Sequence, residues 1–534
     1  MKKNSLLRYL IIFGSTLLFA FIVFFLFLPA INVTSMGFWV YMLAIIAFYG
    51  CIKFVFETKN SVMKVLKGTA KMVGFPVALY IVIILTIIVI NIALSPLFIS
   101  KTYSERITVD ESASFDEDIK QVDFDKLPLL DKDSSQKLGD RVMGQMPELV
   151  SQFYVSNLYT QINYNDSIIR VTPLEYNGFF KYLSNHKTGV KGYITVDSVT
   201  GESKLIKLEK GMKYMPSAIL MDNLKRKVRF SYPTKILGEE TFELDNEGNP
   251  YWVIPTIKYH GVEIREEIEG VIILDPITGK SNYYDVKDVP TWVDHVYSAS
   301  LIIEQLDDWG KYKNGFFNSL FGQKNVTMTT DGYNYTVMND DVYLYTGITS
   351  VSTDESNLGF VLCNMRTKET KFYKVPGAEE FSAMASAEGH VQQMQYVSTF
   401  PLLINLNGRA TYLMSLKDNA GLVKMYAFVD VVDYQKVIVT DSSKGIQAAA
   451  DAYLNGVSLE VSEDKLLVKN ITVSYISNAT IDGTTYYYII DTEGNKYSVS
   501  INVNKNILPF VTNGASLEIS YESGKTINVI KKIK

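Results

Sequence analysis

Long apolar runs without charge dominate the first hundred residues. No Asp, Glu, Lys or Arg occurs over residues 9–52, and a second uncharged run covers residues 72–100. An α-helix of about 20 apolar residues, rising 1.5 Å per residue, crosses a hydrocarbon core of about 30 Å. Only a helix satisfies its own backbone there without water. The pattern predicts three transmembrane helices, at about Tyr9–Pro29, Gly37–Phe56 and Val77–Leu97.

The charges that flank these helices predict their orientation. Lys2, Lys3 and Arg8 precede the first span, and five further lysines lie at 53–71, around the end of the second span and before the third. Positively charged loops stay in the cytoplasm, so the amino terminus is expected inside and the residues after about 100 outside. The alternative is a cleaved signal peptide with Ala30 near the cut. Its apolar region is longer than the usual ~7–15 residues, and cleavage would leave the remaining topology unchanged.

Composition and charge exclude several classes of protein. The chain has 534 residues, 47% of them hydrophobic and 13% aromatic, which is too apolar for a disordered chain. The net charge is −5, whereas a nucleic-acid binder needs a basic surface. The first 100 residues carry eight basic side chains and one acidic one, Glu57, so the exterior part is acidic. Two cysteines, Cys51 and Cys363, exclude a disulfide-rich scaffold and a thiolate zinc site.

One hairpin pattern recurs beyond the predicted anchor. An apolar strand, a turn that begins with Asp or Asn, and a second strand follow one another at Asp197, Asp275, Asn364 and Asp430. Asp caps its own turn and Gly accepts a positive φ, so the two strands can pair antiparallel. The sequence therefore predicts a series of antiparallel hairpins.

A longer order is shared by two of these hairpins. A predicted helix at 216–228 and a hairpin at 241–252 precede the Asp275 hairpin, and a helix at 378–395 and a hairpin at 402–413 precede the Asp430 hairpin. The order helix, hairpin, hairpin therefore occurs twice. This repetition indicates duplicated α+β units, in which each sheet buries one face under a helix.

This order, with a Val-Asp-x-x-Thr-Gly-type turn at 196–201, resembles PepSY-like domains. The resemblance covers residues 155–440 in pieces. It implies the α+β units and, as a function, a regulator or inhibitor of an extracytoplasmic peptidase. The whole arrangement is also similar to a family of Gram-positive membrane proteins with a short multi-span anchor and a large exterior part, a similarity that implies no activity.

The sequence pattern changes in residues 442–534. A helix is predicted at 442–454, followed by short strands at 466–476, 484–492, 496–503, 516–521 and 526–530, with a hairpin turn at 491–494. Five short strands in fewer than 80 residues are typical of a small OB-like or SH3-like β-barrel.

The predicted fold class is therefore α+β, with three amino-terminal transmembrane helices, tandem PepSY-like units and a carboxy-terminal β-barrel. The predicted segments are a membrane anchor at 1–100, a stalk and docking helix at 101–154, a first α+β unit at 155–290, an aromatic connecting helix at 291–325, a second α+β unit at 326–441, and a helix with the barrel at 442–534.

No pattern in the sequence indicates catalysis. The four histidines, His186, His260, His295 and His390, form no helical metal-binding pair, and phosphate-binding and nucleophile-elbow motifs are missing from the sequence. The oxygen-rich stretches 245–249 and 354–357 lack the twelve-residue spacing of a calcium loop and are equally typical of turns. We predict no catalytic, cofactor-binding or metal-binding residue.

Aromatic residues crowd residues 290–322, next to three glycines. The candidate partner-binding residues are Trp292, Trp309, Tyr312, Phe316 and Phe317. Such a segment could form a ligand groove, a foot on the membrane surface or a partner interface. The alternative is a connecting helix that packs between the two repeat units.

The sequence thus predicts a non-enzymatic envelope protein that acts by binding or scaffolding. Its expected partners are the lipid bilayer and another envelope protein, a peptide or a wall polymer, but no nucleic acid. Besides the peptidase regulator, a wall-modifying enzyme remains an alternative, and it would require a deep pocket with converging carboxylates or histidines. The sequence leaves the oligomeric state open.

Overall fold

The structure is a computed structural model, which describes residues 2–57, 62–165, 167–338, 341–351, 356–456, 467–481, 484–522 and 527–533. The chain divides into two units, residues 1–435 and residues 436–534. The first unit combines apolar helices with four β-sheets, and the second contains a β-barrel. The mixed α+β class is therefore confirmed.

Four helices form the amino-terminal part, α1 (Lys2–Phe27), α2 (Met36–Glu57), α3 (Val62–Ala93) and α4 (Pro96–Ser104). Leu7–Phe27 and Met36–Phe56 are long and apolar enough to cross a membrane, as predicted. The predicted third span is different, because Val77–Ala93 and Pro96–Ser104 form a pair bent by 55°. The proline lacks an N–H and its ring clashes with the preceding turn, which ends a helix before it. A third crossing stays a prediction.

The end of α1 and the loop after it are bound by the β-sheet part of the first unit. The Ile31 N–H donates to the Pro233 carbonyl (2.8 Å), and the Glu263 N–H donates to the Thr34 carbonyl (3.0 Å). The guanidinium of Arg229 donates to the Leu28 carbonyl (3.0 Å), just beyond the last turn of α1. A cation at a helix carboxyl end also complements the helix dipole.

Asn91, in α3, makes a pair of hydrogen bonds with one loop residue. Its amide donates to the Val262 carbonyl, and its own oxygen accepts from the Val262 N–H, both at 3.0 Å. The Asn91 side chain thus binds the turn between β9 (Pro250–Tyr259) and β10 (Glu266–Leu274) and ties α3 to the sheets.

The remaining elements of the first unit follow in chain order. They are β1 (Val109–Asp110), α5 (Phe115–Asp118), α6 (Lys132–Gly144), α7 (Pro147–Val150), β2 (Phe153–Val155), β3 (Thr160–Tyr164), β4 (Ser167–Tyr176), α8 (Phe179–Asn185), β5 (Val190–Asp197), β6 (Ser203–Met212), α9 (Leu224–Ser231), β7 (Ile236–Leu237), β8 (Thr241–Leu244), β9 (Pro250–Tyr259), β10 (Glu266–Leu274), β11 (Ser281–Asp285), α10 (Ala299–Tyr312), β12 (Thr327–Thr329), β13 (Asn334–Met338), β14 (Asp341–Ser350), β15 (Ser356–Asn364), β16 (Thr370–Tyr373), β17 (Gly377–Ala378), α11 (Glu380–His390), β18 (Val397–Ser398), β19 (Leu402–Leu406), β20 (Arg409–Lys417) and β21 (Val423–Asp430).

The four sheets share one plan. In each, consecutive strands form an antiparallel meander, and a short earlier strand pairs with the second strand of that meander. The meanders are β3-β4-β5-β6, β8-β9-β10-β11, β13-β14-β15-β16 and β19-β20-β21, and the short strands are β2, β7, β12 and β18. A helix precedes each short strand. The helix-hairpin-hairpin order that the sequence revealed twice is therefore present four times.

The recurring turn has the same hydrogen bonds in every copy. The Asp197 carboxylate accepts from the N–H groups two and three residues later, at 2.9 and 2.7 Å. Asp275, Asn364 and Asp430 accept from the equivalent pairs of N–H groups. Gly201 has φ +76°, a value that glycine adopts without a steric penalty. The turn prediction is confirmed.

The second sheet is buried on both faces. Side chains alternate along a strand, so neighbours point to opposite faces. Trp252 and Ile272 lie in a core shared with the first sheet, whereas Val253 and Val271 lie in a core shared with α10 and the third sheet. All four side chains have no solvent exposure. This double burial explains the continuous apolar runs of β9 and β10.

The second unit contains β22 (Val437–Asp441), α12 (Ile446–Gly456), β23 (Leu467–Ile481), β24 (Thr484–Asp491), β25 (Lys496–Ser500), β26 (Ser516–Glu522) and β27 (Asn528–Ile533). The last five strands close into a barrel in the order β23-β24-β25-β27-β26. The predicted five-stranded barrel and its hairpin turn at 491–494 are confirmed. The start of the last predicted strand, residue 526, lies outside the described residues.

Candidate functional site: a cavity around a buried arginine

A cavity of about 450 Å³ lies among the four sheets of the first unit. Its wall is formed by β3 and β4 of the first sheet, the start of β8 of the second, β13 of the third and β19 and β20 of the fourth, together with the chain at 128–132. Small-molecule sites in proteins commonly have volumes of roughly 300–1,000 Å³. The cavity therefore has the size of a binding site for a small organic molecule.

The unusual member of the wall is Arg170, on β4. Its side chain is buried, with 6% of the residue exposed. Within the described part of the chain its guanidinium has no hydrogen bond and no ion pair, and its Nε has no solvent contact. Burial lowers the pKa of Arg170, although a guanidinium keeps its proton in proteins. A buried charge without a partner costs several kcal/mol.

Two further donors in the wall also lack partners among the described residues. They are the side-chain amide nitrogen of Gln161 and the hydroxyl of Tyr159. Both atoms are buried, and neither forms a hydrogen bond with a described residue. Gln161 pairs with Arg170 across β3 and β4, so the two side chains belong to neighbouring strands on the same sheet. Unsatisfied buried polar groups are rare in folded proteins, and each calls for an explanation.

The carboxylate in the wall is already occupied. Asp131 caps α6, because it accepts a hydrogen bond from the Ser134 N–H (2.9 Å), and it also accepts one from the Lys417 ammonium group. Burial alone would raise the pKa of Asp131, but the bonds from Lys417 and Ser134 hold it below its ordinary value. Asp131 stays ionised and paired, so it does not neutralise Arg170 by direct contact.

A buried polar network supports one side of the cavity. The Glu243 carboxylate, with no solvent exposure, accepts from the Asp294 N–H (2.7 Å) and the Thr241 hydroxyl (2.6 Å). The residue after Asp294 is His295, whose ring nitrogen Nε2 lies 2.7 Å from the Gln161 carbonyl oxygen. These bonds hold β3, β8 and the segment before α10 together, and they fix the ring of His295 in the wall.

The five aromatic candidates lie elsewhere and do not form one surface. Trp292 packs on Tyr251, with ring centroids 5.1 Å apart. Trp309 and Tyr312 line a second cavity of about 470 Å³ beside α4. Phe316 stacks on Tyr312 at 6.4 Å, whereas Phe317 is 65% exposed. Of these five residues, Phe317 is the one that faces solvent, next to the exposed Leu320 and Phe321.

We expect Phe317 and Tyr312 to respond differently to substitution. Phe317→Ser should change the free energy of unfolding by less than about 0.5 kcal/mol, because an exposed side chain loses few contacts. Tyr312→Ala should lower it by about 3 kcal/mol, because it leaves a cavity beneath α4. Chemical denaturation of the purified full-length protein measures both. Equal losses would place Phe317 in the core.

The other candidate residues have structural partners. The Asp245 carboxylate accepts from the Asn249 N–H (2.7 Å) and so closes the β8–β9 turn. Residues 354 and 355 lie outside the described residues. Burial raises the pKa of the Cys363 thiol to about 12, so it is not a ready nucleophile. Among the described residues no cluster of three or more His, Cys, Asp or Glu could hold a metal ion.

A local feature of the sequence marks Arg170. It is the one charged residue between Ser167 and Pro173, in a strand where Ile168, Ile169 and Val171 are buried. An arginine in such a strand indicates a buried cation, which is rare without a partner. The sequence analysis above did not use this feature.

The comparisons with known proteins assign no family. No family model matches the sequence, and neither does any curated protein. Solved structures with a similarity over 71% of this chain include a sialidase of Trypanosoma rangeli (7% identity, TM-score 0.15) and the carboxy-terminal domain of PilY1 of Pseudomonas aeruginosa (10% identity, TM-score 0.12). The similarity covers 53% and 61% of those chains. Scores this low carry no argument about fold or function.

Proposed function

We propose that the protein is a membrane-anchored, extracytoplasmic binding protein of the cell envelope. The observation that carries the proposal is the cavity around Arg170, which has the volume of a ligand site and a wall whose residues include donors without a hydrogen-bond partner in the described part of the chain. The cavity lies in the large part of the chain that follows the apolar helices. Binding, and not catalysis, is the function that this arrangement supports best.

The contacts between the anchor and the sheets support the proposed topology. The loop at 28–35, which joins the first two apolar helices, hydrogen-bonds residues 233 and 263. Loop and sheets therefore lie at the same end of the helices, as expected if the chain crosses three times before residue 101. With the lysine-rich segment inside, both lie outside the cytoplasm.

Two alternatives are kept as secondary proposals. The fourfold repetition of helix, hairpin and Asp-capped turn favours the resemblance to PepSY-like domains, and with it a regulator or inhibitor of an extracytoplasmic peptidase. A wall-modifying enzyme has less support. Among the described residues that line the cavity the one carboxylate, Asp131, is bound by Lys417, so no pair of free acids converges there.

Site-directed labelling tests the proposed location. Val432 is 75% exposed in the sheet part, and Lys64 lies in the segment expected in the cytoplasm. In a Cys51→Ser background, a membrane-impermeant maleimide should label Val432→Cys on intact, wall-stripped cells. It should label Lys64→Cys only after lysis, while the buried Cys363 remains unmodified throughout. The reverse pattern for the two introduced cysteines would reject the extracytoplasmic location.

A further inference from the structure

We infer that the cavity around Arg170 binds a small organic carboxylate, whose anionic group pairs with the Arg170 guanidinium. The inference rests on the proposed binding function and specifies its ligand class. Four observations support it. Arg170 is buried and has no ion pair among the described residues, and Gln161 has an amide donor without a partner there. Asp131 is already paired with Lys417, and part of the cavity wall is apolar.

The charge balance of the cavity requires an anion. Arg170 cannot lose its proton, and its burial removes most of the water that would otherwise solvate it. In the described part of the chain the neighbouring anion, Asp131, is engaged by Lys417 and Ser134. An anion from solution that reaches the guanidinium would complete the pair. The folded protein therefore already contains half of a buried ion pair.

The geometry of the donors favours a planar oxyanion. A guanidinium presents a rigid fork of N–H groups that matches the two oxygens of a carboxylate. Gln161, on the neighbouring strand, contributes a buried amide donor that is also unpaired among the described residues. Tyr159 and Tyr335 also belong to the wall.

The number of charges favours a carboxylate over a phosphate. A phosphate monoester carries a charge of about −1.5 to −2 at pH 7. Among the described residues of the wall, Arg170 is the one buried cation without an ion pair, and the one carboxylate, Asp131, already has Lys417 as its counter-charge. A single negative charge is balanced by Arg170 alone. Lys132, also in the wall, is exposed and solvated.

The rest of the wall suits an apolar group attached to the acid. Phe400, Leu402, Leu413 and Met414 line the cavity from the fourth sheet. An apolar group placed against them is removed from water, which favours binding. The ligand class is therefore an amphiphilic acid, with a carboxylate at Arg170 and an apolar part toward β19 and β20.

The experiment uses three probes that differ in the anionic group. We expect 3-phenylpropionate to raise the melting temperature of the full-length protein in nanodiscs, 3-phenylpropionamide to leave it unchanged, and phenyl phosphate to raise it less. Isothermal titration calorimetry then gives the affinity. Arg170→Met should weaken binding of 3-phenylpropionate at least about thirtyfold, because truncating one partner of a buried charge pair has an effect of that size.

The melting temperature of Arg170→Met without ligand gives a second test. Without ligand, Arg170→Met should melt at the same or a higher temperature than the wild type, because it removes an uncompensated buried charge. The control is Arg141→Met, at an exposed position on α6, which should bind the acid normally. If Arg170→Met does not fold, Gln161→Leu replaces it, with weakened acid binding as the expected result.

Four results would overturn the inference. These are an equal response to the neutral amide, a larger response to phenyl phosphate, no response to any probe, or unchanged acid binding by Arg170→Met. The labelling experiment is independent of all of them. If labelling places the sheets in the cytoplasm while the acid binds at Arg170, the envelope location fails and the site stands. If labelling succeeds and the acid does not bind, only the ligand class fails.

Discussion

Arg106→Met is expected to lower the free energy of unfolding by about 3–5 kcal/mol. Arg106 follows α4 directly, and 1% of its side chain is exposed. Its guanidinium donates to the carboxylates of Glu304 (2.7 Å) and Asp308 on α10 and to the Glu266 carbonyl (2.8 Å). One cation thus joins the last helix of the anchor to α10 and β10. Removing it leaves Asp308, with 15% of its side chain exposed, without its counter-charge.

The matched control lies five residues earlier. Lys101 and Glu105 form an exposed ion pair on α4 at 3.7 Å, with 85% and 64% of their side chains exposed. Lys101→Met should change stability by less than about 1 kcal/mol, because exposed pairs contribute little. Both variants are compared by chemical denaturation of the full-length protein. The double variant Arg106→Met with Asp308→Asn should recover part of the loss.

The pH dependence provides a second readout of the same cluster. Burial raises the pKa of Asp308 to about 6, although the bond from Arg106 opposes the rise. A raised carboxyl pKa means that the folded state holds a proton that the unfolded state has released. Its contribution to stability therefore falls as the pH rises from about 4 to 6. Asp308→Asn should remove this component. Identical pH profiles of wild type and variant would show that Asp308 has an ordinary pKa.

The features that the sequence predicted correctly depend on neighbours along the chain. The turn at Asp197 needs only that residue, the N–H groups two and three residues later, and Gly201, all within five positions. Hydrophobic length alone identifies the first two apolar helices. The third apolar helix bends just before Pro96, a residue that is visible in the sequence. A count of apolar residues does not detect this bend, because one proline hardly changes the count.

The fourfold repeat was only half visible in the sequence because the helices differ. The helices α9 and α11 precede recognisable hairpins, whereas α10 lies within the aromatic segment and was interpreted as a connection between units. Its apolar face, with Leu301, Ile302 and Leu306, is buried in the core shared by the second and third sheets. In the structure, α10 is the helix of the third copy.

The cavity depends on contacts between distant parts of the chain. Asp131 and Lys417 are 286 residues apart in sequence, yet they pair with each other. Among the described residues, Arg170 forms no direct ion pair with Asp131 or another carboxylate. Composition and local pattern cannot show which carboxylate is occupied. The sequence could have indicated a buried arginine in β4. That Arg170 has no hydrogen-bonded partner among the described residues could be seen only from the arrangement of the four sheets.

The second large effect is expected at Asp491, in the turn between β24 and β25 of the barrel. The residue is 2% exposed, and its carboxylate accepts hydrogen bonds from the Asn495 N–H (2.8 Å) and the Tyr497 hydroxyl (3.1 Å). It also accepts from the Lys469 ammonium group on β23 (3.2 Å). Asp491→Ala should lower the free energy of unfolding of the barrel by about 3 kcal/mol, because buried donors lose a charged acceptor.

Acid should weaken the same site. Burial alone would raise the pKa of Asp491, but the bonds from Asn495, Lys469 and Tyr497 lower it to about 2. The stabilisation is therefore present above about pH 4 and is lost as the pH falls toward 2. Asp491→Asn keeps an acceptor for the turn and should lose less stability than Asp491→Ala, without this acid dependence. The control is Asp451→Ala on the exposed face of α12, expected to be nearly neutral. An acid profile of Asp491→Asn that matches the wild type would assign the pH dependence to other carboxylates.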